Sequence, residues 1–198
     1  MSTEASVVEL HAKAVEVFRS LVNAVPAQAW SAPTPCVEWD VRALVNHVAG
    51  EELWTVPLLE GRTIAEVGNR FDGDILGAEP ADAVDSAAKA AVGAFEAPGA
   101  SEGTVHLSFG DTPASEYAMQ LIADHVIHGW DLAAATGADR RINDVLVAVL
   151  TDWYAEREDL YRGAGIVSER PPITATSAQD QLLVAFGRDP GWAPAPAD

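Results

Sequence analysis

Apolar residues return at every third or fourth position along four long stretches of this sequence, and that spacing points to helices packed side by side. In the first stretch Val7, Leu10, Ala14, Val17, Phe18, Leu21 and Val25 keep the rhythm until Pro26, so a helix is expected over residues 3 to about 25. The segment "PAQAWSAPTPCVEW" carries Pro26, Pro33 and Pro35 and cannot continue a helix. Asp40 then stands as the N-cap of a second helix over residues 41 to about 59. A Gly- and Asp-rich connection with a helical turn at 64–67 follows, and it reads as the most mobile segment. A third helix fits residues 82–95 before Pro98 and Gly99. A fourth starts near 113–115 and closes on Gly137 as a C′ glycine. Between them "TVHLSFG" alternates in the manner of a strand, so a short strand or extended segment is expected near 104–109, with Val105, Leu107 and Phe109 on one side. Further helices fit 143 to about 161 and 178–186, and the Pro-rich residues 191–198 read as a frayed tail. The expected fold is all-α: a single domain over residues 1–190, built as a four-helix bundle with extra C-terminal helices. The interior of such a bundle is a natural place for ligands projected from facing helices.

Charge narrows the partners. Thirty acidic residues against twelve basic ones leave a net charge of −18, a field that repels nucleic acid and anionic lipid, and no basic stripe offsets it. Neither a nucleic-acid partner nor a membrane is expected. The first eighteen residues alternate charged and apolar positions and carry no export signal, and no apolar run approaches the roughly 18 residues of a membrane span. Cys36 is the single cysteine, so no internal disulfide forms, and a cytoplasmic location is expected.

Within this apolar pattern the stretch "IADHVIHGWDLA" is anomalous. Asp124 and His128 stand four residues apart, one above the other on a single helix face that they share with Tyr117, Leu121 and Leu132. An inward carboxylate without a partner would cost several kcal/mol, a large part of the net stability of a domain, so something must compensate it. The second helix supplies His47, with Leu44 three residues before it and Trp54 seven after, again on an inward face. Two imidazoles and a carboxylate suit Zn²⁺ with positions left open, and the same set can hold Ni²⁺, Fe²⁺ or Mn²⁺. A D-x-x-x-H spacing is also that of an ordinary surface ion pair, and a lone inward histidine is often a hydrogen-bonded core residue.

Other residues fall into place around this constellation. Glu51, one turn beyond His47, is the candidate for orienting a ligand or moving a proton. His125 lies about 100° around the helix from Asp124 and is expected beside the ligands or exposed. Trp39, Trp54 and Trp130 could line a pocket, and Cys36 is expected to be buried against the bundle rather than to bind metal. Asp131, near the metal-facing side, would require its own cation, and Arg42 on the second helix is the expected partner. His11 and His106 have no partners at informative spacing.

The pair of motifs "TPCVEWDVRALVNHVAG" and, some 80 residues later, "ADHVIHGWDLAAATG" resembles the actinobacterial branch of the DinB-like superfamily, which includes the metal-binding domain of mycothiol-dependent maleylpyruvate isomerase. The resemblance runs from the first helix to the C-terminal "AFGRDP". It implies a four-helix bundle with a long crossover and a divalent metal, usually zinc, held by His47, Asp124 and His128. It also implies a thiol cosubstrate, mycothiol in that branch, whose thiolate attacks an electrophile. The isomerase resembles a His, Glu, His set, whereas the middle position here is the shorter Asp124. The expected function is a metal-dependent thiol transferase or isomerase with a small-molecule thiol and an electrophile as partners, a homodimer being left open. The alternative is a bundle that binds or senses metal or thiol without turnover.

Overall fold

The computed structural model describes residues 5–194. Helix α1 (Val7–Asn23) begins at a capping box in which the Ser6 hydroxyl accepts the Glu9 amide while the Glu9 carboxylate accepts the Ser6 amide, satisfying two donors that helix geometry leaves free. Its buried stripe is Leu10, His11, Ala14, Val15, Phe18 and Val22. Helix α2 (Val41–Leu59) starts where the Asp40 carboxylate accepts the Ala43 amide. Helix α3 (Ile64–Val67) is a single turn, and α4 (Pro80–Glu96) has proline in its first turn, where no intrahelical amide is lost. Helix α5 (Ala114–Thr136) ends at Gly137, whose left-handed φ of 75° lets its amide reach the Ala133 carbonyl.

Helix α1 packs on α5 and α4, and α2 packs on α4 and α5. Every residue of α5 from His125 to Ala134 is buried, because α6 (Asp144–Ala155) covers the face that α1 and α2 leave free. The chain is therefore mostly helical, and α5 is its central element. One core lies between α1, α2, α4 and α5 around Phe18, Leu44 and Leu132, and a second joins α5 to α6 and α8 (Ala178–Ala185) around Trp130, Leu150 and Tyr154. No helix among the described residues is long and apolar enough to cross a membrane.

Several expectations change in detail. The extended segment near 104–109 is a hairpin, β1 (Thr104–Leu107) paired antiparallel with β2 (Gly110–Pro113). Val105 is buried on its inner side, but Phe109 sits in the turn and is 71% exposed. The helix expected to about 161 stops at Ala155 and resumes as α7 (Glu158–Gly163). Arg157 lies at the break, donating to both Glu116 carboxylate oxygens and to its own Trp153 carbonyl, a tertiary anchor that no local pattern reveals. The connection expected to be mobile is pinned to α2: Asn46 donates to the Gly73 carbonyl and accepts the Ile75 amide, and Leu76 is buried. The expected tail is docked at Trp192, which packs on the second core while its carbonyl accepts from Arg140, and residues 195–198 lie outside the described residues.

Candidate metal centre

Helices α2 and α5 lie side by side and bring His47, Asp124 and His128 together. The Nε2 atoms of His47 and His128 lie 3.2 Å and 3.4 Å from the same oxygen, Asp124 Oδ1, and the two imidazole rings meet edge to face at 5.2 Å. One donor atom from each side chain lies within 4.8 Å of the other two, so the group could hold a metal ion. The side chains keep 30%, 23% and 11% of their surface, which leaves the cluster open to solvent on one side.

The polar accounting favours a cation there. Asp124 Oδ2 is buried with no hydrogen-bond partner, an expensive state for a carboxylate oxygen. His128 Nδ1 lies 3.0 Å from Asp131 Oδ2, and that carboxylate can only accept, so Nδ1 carries the hydrogen. The Nε2 lone pair then faces Asp124 Oδ1, and two acceptors at 3.4 Å need a proton or a metal ion between them. Burial opposes the charged form of His47, but its hydrogen bond to Asp124 and the nearby carboxylates outweigh burial and hold its pKa above the ordinary value. Burial would likewise raise Asp124, yet His128 and His47 hold its carboxyl well below the usual range. A carboxylate that faces two imidazole nitrogens and keeps one oxygen unpartnered fits a divalent ion held among them.

The loop before α2 shapes the open side. The Thr34 hydroxyl accepts the Cys36 amide and donates to the Trp39 carbonyl, while the Trp39 amide bonds the Cys36 carbonyl. This knot sets the Trp39 ring 4.6 Å from that of His47 and 5.4 Å from that of His128. Cys36 is partly buried, close enough to Asp131, Asp124 and Arg188 to feel their charges, with burial pushing its thiol pKa up. Glu51 is half-buried, and burial together with the charge of Asp124 raises its carboxyl above the usual range. The phenol of Tyr117, buried one turn before Leu121, lies 3.5 Å from the Thr55 hydroxyl and is pushed up by burial and by Glu51.

Other expected members sit elsewhere. Trp54 stacks edge-on against Phe71 at 5.8 Å, and Trp130 lies in the second core beneath the Arg140 guanidinium. His125 is buried on another face of α5, where Nδ1 donates to the Leu121 carbonyl and Nε2 lies 3.0 Å from Glu52 Oε1. Burial raises the Glu52 carboxyl above the usual range, and for His125 the hydrogen bond and charge of Glu52 outweigh burial and raise its pKa. Glu52 was not legible as a buried partner, although its place four residues after Val48 on an apolar stripe is the signal that could have found it. His11 is also fully buried, against the Phe95 ring at 4.6 Å and His125 at 6.1 Å, with neither ring nitrogen hydrogen-bonded.

The expected pair between Asp131 and Arg42 is not formed. Arg42 points outward and donates to Asp74 and to the Gly77 carbonyl. Asp131 is fully buried and is gripped by Arg188, with Nε 2.9 Å from Oδ1 and Nη2 2.8 Å from Oδ2. Arg42 lies on the face of α2 that meets the 60–79 connection, so the chain there claims it first, and the C-terminal segment supplies the cation instead.

Comparison with known proteins identifies the family of the chain. The family model described as the mycothiol maleylpyruvate isomerase N-terminal domain matches residues 11–133, a span that contains all three side chains of the cluster. An uncharacterized protein of Mycobacterium tuberculosis, found in two strains, is 31% identical over 185 residues, covering 90% of this chain and 95% of the relative. No solved structure matches the chain. With more than half of its residues matched by that family model, the chain belongs to the mycothiol maleylpyruvate isomerase N-terminal domain family.

Proposed function

We propose that this protein binds a divalent metal, zinc by the chemistry of its donors, through His47, Asp124 and His128, and uses it in a thiol-dependent transfer to, or isomerisation of, a small electrophile. The same reading takes residues 1–190 as one cytoplasmic DinB-type four-helix bundle, α1, α2, α4 and α5, with a long crossover. The observation that carries it is the convergence of two imidazole nitrogens on one carboxylate whose second oxygen is buried and unpartnered. A bound divalent ion would lower the pKa of a thiol that reached it and so supply thiolate near neutral pH.

The chain's own groups have separable tasks in this reading. His47, Asp124 and His128 bind, and their partial exposure leaves a path for a small molecule. Trp39 packs against both imidazole rings and forms one wall of that path. Glu51, one turn beyond His47 and with a carboxyl that burial and the charge of Asp124 raise above the usual range, is the group that takes up the proton a thiol releases. Mycothiol is the thiol to test first, since the family bears its name. Elemental analysis of the purified protein, followed by turnover of mycothiol with a panel of small electrophiles such as an epoxide and an α,β-unsaturated carboxylate, tests the reading. One equivalent of metal with thiol consumption, or with isomerisation of the electrophile that requires the thiol, supports it. Metal without either reaction gives the binding or sensing alternative, and no metal in the presence of excess zinc overturns both.

A further inference from the structure

The arginine that grips Asp131 lies 55 residues beyond the end of the stretch that matches the family domain, residues 11–133. We propose that Arg188 is a positioning residue of the metal centre: acting through Asp131, it fixes the tautomer and direction of the His128 ring, so that the C-terminal segment completes a site whose ligands all come from α2 and α5. The inference rests on the metal-binding reading above, but its geometry is independent of any ion.

Three observations carry it. Asp131 has no exposed surface, and a buried carboxylate left without a cation is strongly unfavourable. Arg188 meets it side-on with two nitrogens, the arrangement that holds a carboxylate in one orientation, and its own side chain is only 11% exposed. The oxygen that takes Arg188 Nη2 also accepts His128 Nδ1–H at 3.0 Å. With Asp131 held as an acceptor, the hydrogen of a neutral His128 stays on Nδ1 and the Nε2 lone pair stays on the side of Asp124 and His47.

The local structure prepares Arg188 for this place. Phe186 stacks on Tyr154 of α6 at 3.9 Å, and the Arg188 amide bonds the Leu183 carbonyl. Gly187 between them has φ of 73°, and a Cβ there would lie 2.7 Å from the Ser168 carbonyl oxygen, so only glycine allows the turn that delivers the guanidinium. Its Nη1 returns to the Phe186 carbonyl, leaving Nε and Nη2 for Asp131.

The test uses the full chain carrying Arg188→Ala, Arg188→Lys, or Arg188→Ala with Asp131→Asn. Zinc affinity is measured by competition with a chromophoric chelator, the Co²⁺ absorption spectrum reports the ligand set, and long-range ¹⁵N NMR of the metal-free protein reports the His128 tautomer. Arg188→Ala is expected to weaken zinc binding by about 10- to 100-fold and to release His128 from the Nδ1–H form, with Arg188→Lys recovering part of both. If Arg188→Ala does not fold, the double variant decides, since it removes the unpaired buried charge along with the clamp; it too should bind zinc about 10-fold more weakly than wild type. A folded Arg188→Ala or double variant with wild-type zinc affinity and an unchanged His128 tautomer would overturn the proposal. Wild-type protein that binds no zinc defeats the metal-binding reading instead, and the NMR tautomer still decides whether Arg188 positions the ring.

Discussion

His128 touches both halves of the centre, with Nε2 toward Asp124 and Nδ1 on Asp131. His128→Ala is expected to weaken metal binding by more than about 100-fold while leaving the far-ultraviolet circular dichroism in place, because α2 and α5 are held by apolar packing. Stoichiometric metal in that variant after dialysis would show that the ion is held elsewhere. His11 offers a test of a different kind. Burial and the neighbouring His125 lower its pKa from 6.5 to about 3, so below pH 6.5 the unfolded chain takes up a proton that the folded chain refuses. The stability this histidine leaves intact above pH 6.5 is lost progressively as pH falls toward 3, by about 2 kcal/mol at pH 5. His47 and His125, whose pKa values are raised, act with the opposite sign and lose their contribution as pH rises. The contribution of His11 is therefore isolated by difference: urea unfolding of metal-free His11→Leu should depend less steeply on pH between 7 and 5 than the wild type, and parallel curves would refute the assignment.

Among the elements, the C-terminal segment is the one whose docking depends on a single backbone conformation. Gly187→Ala is expected to destabilise the protein by about 2 kcal/mol or more, since it combines a left-handed φ with a Cβ pressed on the Ser168 carbonyl. Hydrogen exchange should rise over residues 182–192 before it rises in α2, and uniform protection at wild-type levels would show that the turn relaxes without strain. The start of α2 and the end of α5 were legible because caps are local: Asp40 reaches its own third residue, and Gly137 closes α5 within one turn. The break between α6 and α7 was not legible, because Arg157 ends α6 by reaching Glu116 at the start of α5, 41 residues away. The hairpin was half legible. Alternation marked β1, but the second strand, "GDTP", carries turn residues and forms only because β1 offers a pairing edge.

For the molecule as a whole, a ligand that binds only the folded chain must stabilise it. Zinc held free at about 100 times its dissociation constant should add about 2.7 kcal/mol, read as a rise in the unfolding midpoint. The gain should shrink as pH falls, because protons compete for two imidazoles, and Asp124 holds His47 above its ordinary 6.5, so the loss begins above that value. Zinc affinity that stays flat between pH 7 and 5 would point to carboxylates elsewhere among the thirty acidic residues. The sequence by itself determined the helices and the faces they present: apolar spacing orients each helix, and a four-residue step puts Asp124 and His128 on the same side. It also singled out His47, since an imidazole amid inward apolar residues stands out without any knowledge of its neighbour. Only the tertiary structure decided what stands opposite each face. His125 found Glu52, Asp131 found Arg188 in place of Arg42, and Trp39 rather than Trp54 or Trp130 covered the imidazoles. Helical periodicity is a local property of the backbone, whereas the partner of a buried charge is chosen by whichever distant segment can dock with a complementary group, and that choice depends on the packing of the entire chain.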